Sequence, residues 1–405
     1  MPVALVLLAS LASPWPQFGG PSGQGIVTDR LPAAIEPDRP AWRTELPGRG
    51  WSSPVIVGER AWMTTALDDG RDLRLLGVDL ATGRLTDDIG LLQPRDVQEI
   101  HGQNSYASPT PCVWGDLVIA HFGRYGTAAY DTSSGEIAWT NSDYVIEHQG
   151  GPGSSPMIAA DTLILTLDGA DESFVAGLDP ATGQERWRRD RSAPKRPNPI
   201  MHRAFATPLV TEWDGRDIVV SPGADQLHAY DAATGEELWH VRYVGFSTVP
   251  QPVRWEDRIV LCTGFFKPSL VAVTLGGRDD VTDSHTAWTF KGPVPDIPSP
   301  VVANGHVWLL SDKGVLTAVD AATGKRTKAL RVRGNYSASP LAIVADDASE
   351  LLLANREGEL VRVAIGNVAE AEIVERIDLG EAIYATPVVL PEGLLVRTED
   401  AIWRF

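Results

Sequence analysis

The chain reads as all-β, an eight-bladed β-propeller of four-stranded antiparallel blades whose last blade is closed by a strand from the N-terminal region. Three observations predict this. A hairpin unit recurs: Asp131–Trp139 (DTSSGEIAW), Asp179–Trp187 (DPATGQERW) and Asp231–Trp239 (DAATGEELW) keep Asp, Gly and Trp at fixed offsets, and Asp79 and Asp320 open copies that keep Asp-x-x-Thr-Gly and lose the Trp. A small residue plus Pro, or a near match, opens an apolar run at Pro54, Pro109, Pro156, Pro208, Pro252, Pro300, Pro340 and Pro387. Finally, the eighth run leaves room for only three strands, while Ala41–Leu46 stands spare near the start.

Each part of the unit has a physical reason. The Asp carboxylate accepts backbone N–H groups two residues on, making an Asx-type turn. The Gly takes the positive φ that the turn needs. A Trp at one register per unit is a packing anchor between units, because it buries a large area and can satisfy its N–H at an edge. After each Pro run comes a turn and a second strand: Leu117–Ala120, Leu163–Leu167, Ile218–Val220, Ile259–Leu261 and Val307–Leu310. The hairpin supplies strands three and four. Four short strands per roughly 47 residues is a propeller blade.

Pro2–Ser13 is apolar, ends in small residues and is too short to span a bilayer, so residues 1–13 are expected to be a signal peptide. Residues 14–405 are then one domain. Trp15–Gly25 (WPQFGGPSGQG) is expected as a Gly/Pro loop lying over the propeller. Ala41–Leu46 is expected to supply the outer strand of blade eight and remove the open seam. Blade five (LGGRDDVTDSHTAW) has a longer hairpin, and blade seven (Ala364–Ile377) has lost the motif. Cys112 and Cys262 fall in blades two and five, too far apart to bridge, and are expected as buried small hydrophobes. The net charge of −18 without a Lys/Arg cluster argues against nucleic acid or anionic membrane.

In such a blade, the loops leading into strand one and those joining strands two and three share one face. The first set carries His101, Asn104, Tyr106, His148, Arg203, Asn335, Tyr336 and Tyr384; the second carries His121, Arg124, Asp168, Asp225, Lys267, Asp312 and Arg356. These fifteen residues are expected to converge as a ligand-binding funnel. Each also has a plainer role: the tyrosines as packing between blades, the histidines as caps of loop backbone, and Asp168, Asp225 and Asp312 as turn residues. The Asp-x-x-Thr-Gly turns face the other way.

The repeated small-x-Asp-x-x-Thr-Gly-x-x-x-Trp unit, with WPQFGGPSGQG, LPGRGWSSPV, NSYASPTP and GNYSASP, resembles the PQQ-like repeat family of quinoprotein-type eight-bladed propellers, similar also to outer-membrane assembly propellers of the BamB type. The likeness covers about Trp15 to Phe405 and is specific for fold and weak for function. It implies an exported, non-catalytic binding or scaffold protein of the periplasm or cell envelope. The expected partner is an envelope protein or a glycan, with no nucleic acid, no membrane span and a monomeric state. It also leaves two enzymatic alternatives, a quinoprotein dehydrogenase with PQQ and calcium, and a polysaccharide-active hydrolase or lyase. PQQ-dependent members carry adjacent cysteines packed on the quinone and an Asp base beside calcium ligands. This chain has no adjacent cysteines. No cofactor, metal or catalytic residue is therefore expected.

Overall fold

The computed structural model describes residues 14–345, 348–391 and 393–405; the expected signal peptide lies outside them. Among the described residues are eight sheets, each built on four antiparallel strands as expected, and no helix is long and apolar enough to cross a membrane. In blade three the strands are Met157–Ala159, Thr162–Asp168, Ser173–Leu178 and Glu185–Asp190. Alternation sends the two faces of an inner strand to the two neighbouring sheets, as with Leu163 and Leu165 on one side and Ile164 on the other, so the core is a set of apolar seams and not one central mass.

Closure occurs where the sequence places it. Trp42–Glu45 pairs antiparallel with Ala401–Arg404, with Trp42 opposite Arg404, and completes blade eight. Cys112 and Cys262 are buried and unbridged.

The repeated Trp docks on the next blade. The Trp187 indole donates to Ala232 O at 3.1 Å, and a Cβ on Gly235 would lie 2.4 Å from its ring. Gly235 has φ +68, so both the turn and the close approach need glycine. Trp139 donates to Pro180 O at 2.9 Å, Trp288 to Ala321 O at 3.1 Å and Trp42 to Leu80 O at 2.8 Å. In blade six Lys328 stands at the same register and donates to Ala369 O at 2.7 Å. Simple alternation does not aim these residues. A one-residue register shift does so in blade after blade, as between Ala229 and Tyr230, and it sets the Trp opposite a small residue such as Gly177 or Ala229. Trp42 makes this contact across the closing seam, where Thr44 Oγ1 also bonds Gly83 O. Trp42→Ala is expected to lower the unfolding free energy by about 2 kcal/mol, less than for a fully buried indole. Urea titration would read it, and a change below about 0.5 kcal/mol would mean that the indole does not hold the seam.

Each Asx turn forms as expected. Asp79 Oδ1 accepts Thr82 N at 2.8 Å and Thr82 Oγ1 at 2.6 Å, and Asp320 does the same with Thr323. The threonine hydroxyls, with the backbone N–H, hold both carboxyls below the usual carboxylate range. Their contribution is present above the unfolded carboxylate range and is lost as pH falls through the depressed value.

Three expectations change. The repeat in blade two opens at Pro111, not Pro109: Cys112 directly follows Pro111 and pairs with Ile119, as Val55 follows Pro54 and pairs with Trp62. The long hairpin of blade five does not stay in its own sheet. Its Asp279–Asp280 pairs parallel to the outer strand of blade four and edges over Trp239, which there lacks an Asp-x-x-Thr-Gly turn to dock on. The third concerns Trp15–Gly25. This segment does not lie over the disc but enters the central channel, against the innermost strands. Trp15 O accepts Ile56 N at 2.9 Å, Pro16 O accepts Val113 N at 2.9 Å, Gln24 Oε1 accepts Arg254 N at 2.6 Å and Gly25 O accepts Ala342 N at 2.8 Å. Each donor is the second residue after the repeat Pro, in blades one, two, five and seven. Ile26–Val27 then runs as a parallel fifth strand beside Leu341–Ala345. The physical reason is the inner sheet edge. Strand one of every blade turns unpaired N–H groups to the axis, and the segment satisfies four of them.

Candidate functional site

The Trp15–Gly25 segment sits in the central channel as a plug, and a well remains beside it. Its mouth opens on the face that carries the loops leading into strand one and those joining strands two and three, and it encloses about 1030 Å³. Phe18, from the plug, reaches its lining.

Below the mouth runs a ring of hydroxyls. Ser53 N donates to Thr110 Oγ1 at 3.0 Å, Thr110 N to Ser155 Oγ at 3.0 Å and Ser155 N to Thr207 Oγ1 at 2.9 Å. The series resumes with Gln251 N to Ser299 Oγ at 3.0 Å, Ser299 N to Ser339 Oγ at 3.0 Å and Ser339 N to Thr386 Oγ1 at 3.1 Å. Each is the residue before the repeat Pro, and each bond ties one blade to the next. The Pro fixes the backbone of the residue before it in the extended region, which holds this register. Accepting an N–H leaves each hydroxyl its own proton to donate.

Seven of the fifteen funnel residues line the well: His101, Asn104, Arg203, Asp312, Asn335, Arg356 and Tyr384. Asn104 spends its amide on structure, donating to Gly150 O at 2.8 Å and Pro152 O at 2.9 Å. Asp312 accepts Asp296 N at 2.8 Å and Ile297 N at 3.1 Å. Lys313 Nζ donates to Asn335 Oδ1 at 2.8 Å. Burial pulls the Arg203 guanidinium below its ordinary range; its Nε donates to Ile200 O at 3.1 Å.

Eight are placed elsewhere. Tyr106 packs its ring on Gly70 between blades one and two and donates to Gln98 O at 2.8 Å. Tyr336 is fully buried between blades six and seven. His121 and His148 lie behind the wall: His121 Nδ1 is 2.8 Å from Thr127 Oγ1, and the His148 ring is 4.6 Å from that of Phe205. Burial pushes both down to about 4, with His148 adding to the shift of His121. Arg124 is mostly buried, 4.0 Å from Asp96. Lys267 is exposed on the blade-five loop at φ 87, outside the lining.

Asp168 and Asp225 line a separate cavity of about 370 Å³ beneath the 191–203 segment. There Arg191 grips Asp168 with Nε to Oδ1 at 2.9 Å and Nη2 to Oδ2 at 2.7 Å, and Arg196 grips Asp225 in the same forked way. Burial pushes the Asp168 carboxyl up against the pull of Arg191. Charge pairing, which sequence reading cannot see across 23 and 29 residues, took these two carboxylates out of the funnel.

Sequence reading missed Trp51, Phe205, Asp296 and the hydroxyl ring. For Trp51 a signal was present, since it stands two residues before Ser53 in GWSSP. For the ring it was the hydroxyl at seven of eight positions before Pro, where any small residue would have served a strand start. Trp51 and Tyr384 stack at 4.0 Å with 7° between planes. Burial and the neighbouring Asp312 raise the Asp296 carboxyl, and its Oδ1 is buried without a partner.

The rim is apolar. Eight large hydrophobic residues are exposed among the described residues, and five of them, Val145, Ile200, Val244, Phe265 and Phe266, sit on the loops around this mouth in blades three to five. Val244 is 84% exposed and Phe266 69%.

Comparison with known proteins adds the following. The family described as outer membrane protein assembly factor BamB matches residues 38–171, 110–216 and 171–401. A curated relative, the beta-alanine-activating enzyme of Drosophila melanogaster, is 26% identical over 251 residues, which is 57% of this chain; the chain spans only 23% of that protein. Among solved structures, BamB from Moraxella catarrhalis is 16% identical, with a TM-score of 0.57 and coverage of 91% of this chain and 99% of that one. A europium-containing methanol dehydrogenase is 11% identical, TM-score 0.66, covering 96% and 90%. Quinohemoprotein alcohol dehydrogenase from Comamonas testosteroni is 14% identical, TM-score 0.63, covering 98% and 81%. At these identities the structural likeness speaks for fold alone.

Proposed function

Since the chain belongs to the family of outer membrane protein assembly factor BamB, matched from residue 38 to 401, we propose that it is an exported, non-catalytic propeller of the cell envelope that holds a protein partner over the mouth of the well. The apolar rim carries this reading. Five of eight exposed large hydrophobics gathered on one sector of one face form the kind of surface that a partner protein covers. The net charge of −18 disfavours an anionic lipid surface as the alternative occupant.

What supports leaving PQQ and calcium out of this reading is the donor set. Asp168 and Asp225 are occupied by arginines, Asp312 is bonded to two backbone N–H groups, and the described residues contain no group of three or more His, Cys, Asp or Glu placed to hold a metal ion. The two cysteines lie on separate blades. A hydrolytic reading has one observation in its favour, the raised carboxyl of Asp296 beside Asp312 in the well.

Photo-crosslinking tests the partner reading. A crosslinking residue at Val244 or Phe266 is expected to give a discrete protein adduct in cells. The same residue at Thr234 or Thr323, on turns of the opposite face, is expected to give none. Equal adducts from both faces, or none from the rim, would remove the proposal. Loss of activity on a glycan substrate in Asp296→Asn would instead establish the hydrolytic reading.

A further inference from the structure

Beyond the rim, the well has a wall whose chemistry points to a small ligand. From blade seven round to blade one that wall is made by Arg356, Ser339, Tyr384, Thr386, Trp51 and Ser53, with no carboxylate among them. Of the nearby acids, Glu357 bonds Asn335 and feels the Arg356 charge only beyond ion-pair distance, Glu381 takes Arg43, and Glu399 lies 3.5 Å from Arg49. The stacked Trp51–Tyr384 pair is flanked by guanidiniums on both sides, Arg49 at 4.9 Å from the Trp51 ring and Arg356 at 5.7 Å from the Tyr384 ring.

Donors on this wall outnumber acceptors. Arg356 uses only Nε, to Ser337 Oγ at 2.8 Å, and has no carboxylate within ion-pair distance. The Trp51 Nε1 is buried without a partner. The hydroxyls of Ser339 and Thr386 each accept one N–H and keep their protons. Behind the wall Arg397 is 2% exposed. It donates to Ser52 O at 3.0 Å and to Ser52 Oγ at 2.7 Å, has no carboxylate partner, and leaves Nε unpaired. A Cβ on Gly50 would lie 2.7 Å from its Nη2, so the charge sits directly against the chain that leads into Trp51. A buried guanidinium without a counter-ion is costly unless something negative lies close by. In a chain of net charge −18, that something is missing from the protein here.

We propose that the Trp51–Tyr384–Arg356 wall binds the oxyanion of a small molecule, a carboxylate or a phosphate, which takes the unspent donors of Arg356 and the hydroxyl ring. The guanidinium fork suits either oxyanion, and the hydroxyls supply the remaining bonds. The plug takes up part of the channel, so a compact molecule or a chain terminus fits the wall better than a bulky one.

Calorimetric titration with inorganic phosphate and with citrate, each against sodium chloride at matched ionic strength, tests this on the full chain. Binding of one of them is expected, and which one separates the phosphate source from the carboxylate source. Arg356→Gln is expected to weaken it about tenfold or more. Lys325→Gln, the same charge change on the opposite face, is expected to leave it unchanged. Melting curves of the variants show that each is folded. No binding of either ion to the unaltered protein would overturn the proposal, as would Arg356→Gln binding as tightly as the original. The rim crosslinks do not depend on this outcome, so either idea can fail alone.

Discussion

Asp168→Ala is expected to lower the unfolding free energy by about 3–5 kcal/mol, among the largest effects of any single substitution in this chain. The two side chains of the Arg191–Asp168 pair are 4% and 3% exposed. Removing the carboxylate leaves Arg191 with Ser221 O at 3.1 Å, Ser221 Oγ at 2.9 Å and the His228 Nδ1 at 3.4 Å, none of which carries a negative charge. A guanidinium cannot shed its proton to escape, so the desolvation cost is borne in full. The companion change Arg191→Met in the Asp168→Ala background is expected to recover most of the loss, because an apolar side chain needs no counter-ion. Urea unfolding of the four proteins gives the coupling directly. A single-mutant loss below about 1 kcal/mol would show that the pair is wetter than its burial implies.

Acidification is expected to unfold the protein well above the carboxylate range. His121 and His148 are buried and held down to about 4, and burial, together with the Arg191 charge and His240, carries His228 well below its ordinary value. The unfolded chain takes up these protons near pH 6.5, while the folded chain refuses them. Stability is thus full above that value and falls as pH drops from about 6.5 toward 4. The slope is about 1.4 kcal/mol per pH unit for each such histidine. The groups around them do not reverse the sign: Arg203 and Arg124 repel a proton on His148, and His121 faces His148 and the neutral Thr127 hydroxyl. Unfolding free energies at pH 7 and pH 5 would read the slope. His121→Gln is expected to reduce it by one histidine's share, and an unchanged slope would mean that His121 is charged in the fold.

Most of the architecture was legible because each blade repeats its own instructions. The Pro runs, the Asp-x-x-Thr-Gly turns and the spare strand at 41–46 act through local chemistry that a short window displays. What stayed hidden is contact between distant segments. Asp168 and Asp225 look like mouth residues until Arg191 and Arg196 are seen to fold over them. Tyr106 and Tyr384 stand in similar loops, yet one rests on Gly70 and the other on Trp51. The plug was hidden for the same reason. WPQFGGPSGQG carries no strand pattern, and only the vacant inner edges of the ring give it a place. Blade two slipped by two residues because Ser108-Pro109-Thr110-Pro111 offers two equivalent starts.

The join between Trp42–Glu45 and Ala401–Arg404 also has a consequence in time. The first of these strands leaves the ribosome about 360 residues ahead of its mate, and at 5–20 residues per second it waits roughly 20–70 s for it. Throughout that interval blade eight is unfinished and its flanks have nothing to pair with. Such a nascent chain is a natural client for holding factors, and its rate of maturation follows the arrival of its last residues more than the formation of any early hairpin.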